Sequence, residues 1–280
     1  MIWNVKLKIL NFFARYPVFT HYEFKNYAIS QGTTNTNTQK EILAYHLKKK
    51  NIIRIRRELF ASIPLASQGN SEYYSVDPYL VAGRINNDAV LSYHSAFDFH
   101  GISYSLFHQL TFISQKKTRP FTFQKNNFIC LPIPKALIKK NKSHTEVSTV
   151  DRQGLNIRVT SLERTLVDAL DRPEYAGGWE EIWRSTEHIQ ILNFETMIKY
   201  AILLENASII AKLGFFLEQH TEQFNIDTHA LKILEKNKPR GIHYFDRSKR
   251  ESGKFIQRWN LIVPSRIIKR AWEEPIDDTF

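Results

Sequence analysis

Between Thr38 and Ile63 the apolar pattern of this 280-residue chain changes period. Ile42, Leu43, His46 and Leu47 fall on one side of a helix that runs to about Lys50. Directly afterwards Ile53-Arg54-Ile55-Arg56 alternates apolar and basic, as a half-buried strand does, and Leu59–Ile63 reads as the return strand across a short Arg57-Glu58 connection. A helix feeding so quickly into a tight hairpin leaves few folds open. Upstream, Ile9, Leu10, Phe12, Phe13 and Tyr16 form a helical stripe that Pro17 ends. Thr20 can cap a second short helix carrying Tyr22, Phe24, Tyr27 and Ala28, with Gly32 as its stop. A polar turn, Thr33–Asn37, separates it from the third helix, where Thr38-Gln39-Lys40-Glu41 fits a capping box. Three helices and then two strands is the order of a winged helix-turn-helix domain.

The third helix is the candidate reader of a DNA groove. At 100° per residue, Thr38, Glu41, Ala44, Tyr45 and Lys48 face away from the apolar side, with Gln39 and Lys49 near the flanks. Asn37, Thr38, Gln39 and Tyr45 have the shape and donors to touch base edges in a major groove. Lys48, Lys49, Arg54, Arg56 and Arg57 are placed to meet phosphates or the neighbouring minor groove. Charge distribution points the same way. The chain has 39 Lys and Arg against 28 Asp and Glu, a net +11. Residues 1–76 hold 11 basic and 4 acidic side chains, so most of the excess sits in the first quarter. Such a segment suits double-stranded DNA, because each neutralised phosphate releases condensed counterions.

Ser67–Pro78 is polar and contains Gly and Ser, so it reads as a linker. The partition is then a winged helix over 1–66, a linker over 67–78, a second domain over 79–263 and a tail over 264–280. In the second domain Pro78–Ile85 and Asp88–His100 read as helices. Gln109–Ser114, Phe121–Ile133, Glu146–Val150 and Leu155–Val159 read as strands, with a turn at Asp151–Gly154. Thr160-Ser161-Leu162-Glu163 repeats the capping-box pattern, and helical patterns follow at Gly178–Ile189, Phe194–Leu204, Ala207–Phe224 and His229–Lys236. Gly241–Phe245 and Phe255–Val263 read as a final hairpin around a basic turn. The class is α+β: an N-terminal winged helix-turn-helix followed by a larger sheet-plus-helices domain.

Motifs for catalysis are missing. No GxGxxG, GxxxxGK or HExxH occurs, and Cys130 is the single cysteine, so neither internal disulfides nor a Cys-rich zinc site is expected. His94 and His100, six apart, do not share a helical face and read as satisfied helix histidines. Asp151 and Glu163 are better explained by a turn and a cap than by metal binding. No catalytic residue, metal or cofactor is expected. No apolar run approaches a membrane span, and Lys6 and Lys8 break any signal-peptide core, so a cytoplasmic protein without membrane contact is expected. The C-terminal hairpin is basic: Arg240, Arg247, Lys249, Arg250, Lys254 and Arg258 outnumber Asp246 and Glu251, which suits an acidic protein face or a nucleic acid.

Four stretches, YHLKKKNIIRIRRELFASI, DPYLVAGRINNDAVLSYHSAFDFHGIS, LNIRVTSLERTLVDALDRPEYAGGWEEI and RWNLIV, together resemble the AbiEi family. That family comprises antitoxin and transcriptional-repressor components of type IV abortive-infection toxin–antitoxin systems. Ser95-Ala96, His100-Gly101 and Glu163-Arg164-Thr165-Leu166 with Asp168 are its most specific segments. The resemblance implies a non-enzymatic antitoxin that binds promoter repeats and represses its own operon. It also implies a functional partner, a nucleotidyltransferase-like AbiEii-type toxin; the basic charge of the C-terminal hairpin makes Arg247, Lys249, Arg250, Lys254 and Arg258 the candidate antitoxin surface. Two positions depart from the family pattern. Asn51 stands where glycine is usual, although asparagine also tolerates a left-handed backbone, and Glu58-Leu59-Phe60 replaces Gly-x-Tyr at the hairpin turn. The reading from another class is a stand-alone regulator whose second domain senses a ligand or dimerises, and a third is a DNA-processing enzyme.

Overall fold

The computed structural model describes residues 2–70, 72–246 and 249–272. Its fold is α+β, with strands in three sheets among the described residues and two compact units interleaved in sequence. The first comprises residues up to Leu91, His108–Leu131 and Thr149–Val159; the second comprises Ser92–Phe107, Pro132–Ser148 and the chain from Thr160 onward. This partition differs from the one expected: the first 66 residues share a unit with the larger sheet.

The first unit opens with α1 (Ile2–Arg15), β1 (Val18–Thr20), α2 (His21–Ser30), α3 (Thr36–Lys48), β2 (Ile52–Arg56) and β3 (Leu59–Ser62). Phenylalanines dominate the core that joins them. Phe12 lies edge-on to Phe19 at 5.1 Å and to Phe24 at 5.6 Å, and Phe19 stacks on Phe60 at 5.5 Å. Ring pairs of this kind add about 0.5–1.5 kcal/mol each beyond simple burial. Thr20 caps α2 reciprocally with Glu23, each side chain meeting the other's backbone N–H. Glu23 also pairs with Arg84; although burial pushes its carboxyl up, the Thr20 N–H and the guanidinium hold it below the ordinary value. Strand β1 was not legible in the sequence. It pairs antiparallel with β3, giving the order β1-β3-β2.

Two details of α3 correct the expectation. Its N-cap is Asn35, whose Oδ1 accepts from the N–H groups of Asn37 and Thr38 at 2.8 and 3.3 Å, so Thr38 lies inside the first turn and no Thr38–Glu41 box forms. At the other end the left-handed residue is Lys50, at φ 55°, rather than Asn51. The amide of Asn51 instead donates to His46 Nδ1 at 2.8 Å.

The segment expected as a linker is fastened down. Residues Leu65–Asn70 form a 3-10 turn. Gln124 accepts from the Val76 N–H and donates to the Tyr74 carbonyl, while Asp77 caps α4 (Pro78–Arg84) and accepts from Arg152 at 2.5 Å. Ser71 lies outside the described residues. The larger sheet is built from β4 (Val90–Leu91), β5 (Gln109–Ser114), β6 (Phe121–Phe123), β7 (Asn126–Pro132), β8 (Val147–Arg152) and β9 (Leu155–Thr160), in the order β6-β7-β5-β4-β9-β8. The helix expected over Asp88–His100 is therefore corrected. Val90 and Leu91 enter the sheet, Leu91 pairing parallel with Val159, and only His94–Phe99 is helical.

That helix, α5, begins the second unit. It is followed by α6 (Lys135–Lys139), α7 (Leu162–Asp171), α8 (Trp179–Glu187), α9 (Phe194–Leu203), α10 (Ala207–Gln219), α11 (Thr221–Phe224), α12 (Thr228–Lys236) and α13 (Ser265–Ile268). Ser161 rather than Thr160 caps α7, and Glu163 reaches the Asn193 N–H instead of closing a capping box. The expected C-terminal hairpin is also redrawn. Strand β12 (Leu261–Pro264) runs between β10 (His243–Tyr244), to which it is parallel, and β11 (Gly253–Ile256), to which it is antiparallel. Residues 273–280 of the expected tail lie outside the described residues.

Candidate nucleic-acid interface

Helix α3 presents two faces. Leu43 and His46 are buried in the phenylalanine core, His46 edge-on to Phe13 at 4.8 Å. Glu41, Ala44, Tyr45 and Lys48 are exposed, as the helical phase requires. Gln39 is a correction: it is 1% exposed, and its Nε2 donates to the Thr33 carbonyl at 2.7 Å. It fixes the turn before α3 and has no surface with which to touch a base. Asn37 and Thr38 are exposed in the first turn, and Tyr45 stands 45% exposed beside His46. Lys48 and Lys49 are exposed at the last turn, where cations also offset the helix dipole.

Strands β2 and β3 bring the arginines alongside. A bulge between Arg54 and Arg56 lets Arg54 face Phe60 and Arg56 face Leu59, so the strict alternation expected of Ile53–Arg56 is broken and Ile52 and Ile55 are the buried pair. Arg54 is exposed, with its guanidinium 5.5 Å from the centre of the Phe60 ring. Arg56 is half-buried, its guanidinium 5.2 Å from the Phe121 ring of β6. Stacking holds a guanidinium plane in place while its N–H groups stay available to an acceptor. Arg57 and Glu58 form the exposed tip, Glu58 at φ 64°. Between α3 and the tip runs a groove of about 420 Å³ lined by Lys40, Ala44, Leu47, Arg54, Arg57 and Glu58, among others.

Lys40 escaped the sequence reading, yet its position carried a signal. It lies four residues before Ala44 and eight before Lys48, on one helical row. The groove thus gathers Lys40, Arg54 and Arg57 around small and apolar side chains, with Glu58 as its acidic member. Such a surface can neutralise phosphates along a polyanion while Ala44 and Tyr45 permit close approach.

The second basic cluster is less open. Arg258 pairs with Glu218 at 2.7 Å and Glu235 at 3.3 Å and lies over the Trp259 ring, so it is a brace between helices rather than part of a free basic surface. Arg247 lies outside the described residues. Lys249, Arg250 and Lys254 are exposed.

The segments that carry the family resemblance are mostly interior. Arg164 is fully buried. It donates through Nη1 to the carbonyls of Ser143 and Thr145 at 3.0 and 2.6 Å, and through Nε to Asp168 Oδ2 at 3.3 Å. Tyr200 donates to the other Asp168 oxygen at 2.7 Å. His94 meets Glu181 at 3.2 Å, and His100 Nε2 reaches the Thr160 carbonyl at 2.7 Å. These are interior structural contacts, with Nη2 the one nitrogen of the Arg164 guanidinium left without a hydrogen bond. Among the described residues no group of three or more His, Cys, Asp or Glu is arranged to hold a metal, and no helix is long and apolar enough to cross a membrane.

No family model and no curated protein matches the chain. Among solved structures, the crystal structure of the RV2827C protein from Mycobacterium tuberculosis shares its fold. The TM-score is 0.61 at 14% identity, covering 97% of this chain and 95% of that one.

Proposed function

We propose that the first 66 residues are a winged helix-turn-helix module and that the chain is a non-enzymatic, cytoplasmic antitoxin that binds and represses its own promoter. The observation that carries the DNA reading is the groove between α3 and the β2–β3 tip, where Lys40, Arg54 and Arg57 converge beside the exposed row ending in Lys48. In this reading α3 lies in a major groove, Asn37, Thr38 and Tyr45 reach base edges, and β2–β3 is the wing over the flanking phosphates. Lys49 and Arg56 add phosphate contacts at either side.

Replacing Lys48, Arg54 and Arg57 together with alanine should weaken binding to every duplex and lower the log–log salt slope by roughly 0.9 per lost contact. All three are exposed, so thermal stability should change little. An unchanged slope in a folded variant removes this surface from the interface.

The antitoxin part rests on the AbiEi resemblance, which spreads from about Gln39 to Val263. In this reading an AbiEii-type nucleotidyltransferase toxin is the functional partner, and the basic charge near the C-terminal strands makes Lys249, Arg250 and Lys254 the exposed candidates for the antitoxin surface. Co-expression with the neighbouring reading frame should restore growth that the frame alone arrests. Failure to rescue, with DNA binding intact, favours the stand-alone regulator instead.

A further inference from the structure

A second cleft adjoins the groove just described. It measures about 750 Å³, and Arg56, Arg57 and Glu58 of the β2–β3 tip line one side. Lys116 and Lys117, on the loop that leaves β5, line it too. Arg57 and Glu58 line both the groove and this cleft, so the two are continuous around the tip.

The loop bearing the lysines is built to hold its shape. Asn86 is buried, and its Nδ2 donates to Ser114 Oγ, the Lys116 carbonyl and Thr118 Oγ1 at 2.9, 3.1 and 3.0 Å. Asp88 accepts from Ser114 Oγ and the Gln115 N–H, both at 2.6 Å. Lys116 and Lys117 themselves are exposed and line the cleft. Four cations against Glu58 and Asp88 leave the lining positive. A polar, basic trough of this size, continuous with a basic groove, has the chemistry of a phosphodiester track.

We propose that the cleft is a second phosphate-binding segment, over which duplex DNA continues past the hairpin tip onto the Lys116–Lys117 loop. The inference rests on the DNA reading above and extends it: the footprint is longer on the side of the tip than α3 and the hairpin alone can cover. Arg56, held on the Phe121 ring, is the hinge point of that track, contacting phosphate between the two halves.

The test uses the full chain and the duplex upstream of its own gene, titrated across salt concentrations and footprinted. Replacing Lys116 and Lys117 with glutamine should lower the salt slope by about 1.8 and remove protection at one end of the site only. Lys232→Gln with Lys236→Gln, an equal charge change at residues that do not line the cleft, should alter neither. If the wild-type chain binds no DNA, both readings fall. If it binds and the Lys116/Lys117 variant keeps its slope or its full footprint, the cleft is not part of the interface and the α3 groove stands alone.

Discussion

Replacing Asp168 with alanine should cost about 3–5 kcal/mol, the loss usual when one member of a buried ion pair is removed. Arg164 is fully buried, and its Nη2 has no hydrogen-bond partner even with Asp168 present. Burial pushes the Asp168 carboxyl up, against the pull of the Arg164 guanidinium and the Tyr200 hydroxyl. Alanine strands both partners: a guanidinium with no carboxylate at its Nε, and a buried phenol with no acceptor. Asp168→Asn keeps the shape and an acceptor, so it should lose less. Urea unfolding followed by tryptophan fluorescence checks the order, since Trp179 and Trp183 are buried in the same unit. An alanine variant as stable as the parent would mean the network is dispensable.

Glu181→Ala should be comparably severe, because one carboxylate oxygen collects four donors: His94 at 3.2 Å, the N–H groups of Tyr104 and Ser105 at 2.9 and 3.1 Å, and Ser185 Oγ at 3.1 Å. Burial pushes this carboxyl up, but the His94 and Ser105 hydrogen bonds prevail and hold it at about 2, against an ordinary 4.5. The sign of the linkage follows. A folded pKa below the unfolded one gives stability that is complete above about 4.5 and lost as pH falls toward 2. Glu181→Gln cannot ionise, so its thermal midpoint should fall less steeply than the parent's across that window. Parallel pH profiles would separate Glu181 from acid unfolding.

The parts of this fold that were legible in the sequence are those whose signals are local. Helix α3 and its outward row could be phased because Leu43 and His46 recur at helical spacing while the charged Glu41 and Lys48 fall on the other side. Thr20 and the Asp151–Gly154 turn carry their own hydrogen-bonding chemistry, the Gly154 N–H reaching Asp151 Oδ1 at 3.3 Å. Strands β1 and β4 were hidden because each is very short and exists only through a distant partner: Phe19 opposite Phe60, Leu91 beside Val159. No periodicity can develop over two or three residues. The 67–78 segment read as a linker because composition records polarity, whereas its anchors are contacts to Gln124 and Arg152 far along the chain.

The candidate site divides in the same way. Lys48, Arg54 and Arg57 are exposed, as helical phase, strand alternation and the turn at Arg57-Glu58 respectively lead one to expect, while the bulge leaves Arg56 half-buried. Gln39 was misassigned because it sits at a helix flank, where one carbonyl, that of Thr33, decides between core and surface. Arg258 was misassigned because its charge looked free in sequence, while Glu218 and Glu235 arrive from two other helices. Lys116 and Lys117 gave no cue at all, since their place beside the hairpin tip depends on the sheet that carries them.

Titrating the chain onto the duplex upstream of its own gene, with unrelated duplex as competitor and salt varied, decides whether α3 and the β2–β3 tip form a DNA interface. Binding should resist the competitor and weaken linearly in log–log form as salt rises, with a slope steeper than about −3 from the α3 and hairpin cations alone. Binding that ignores salt, or no binding at all, would contradict such an interface.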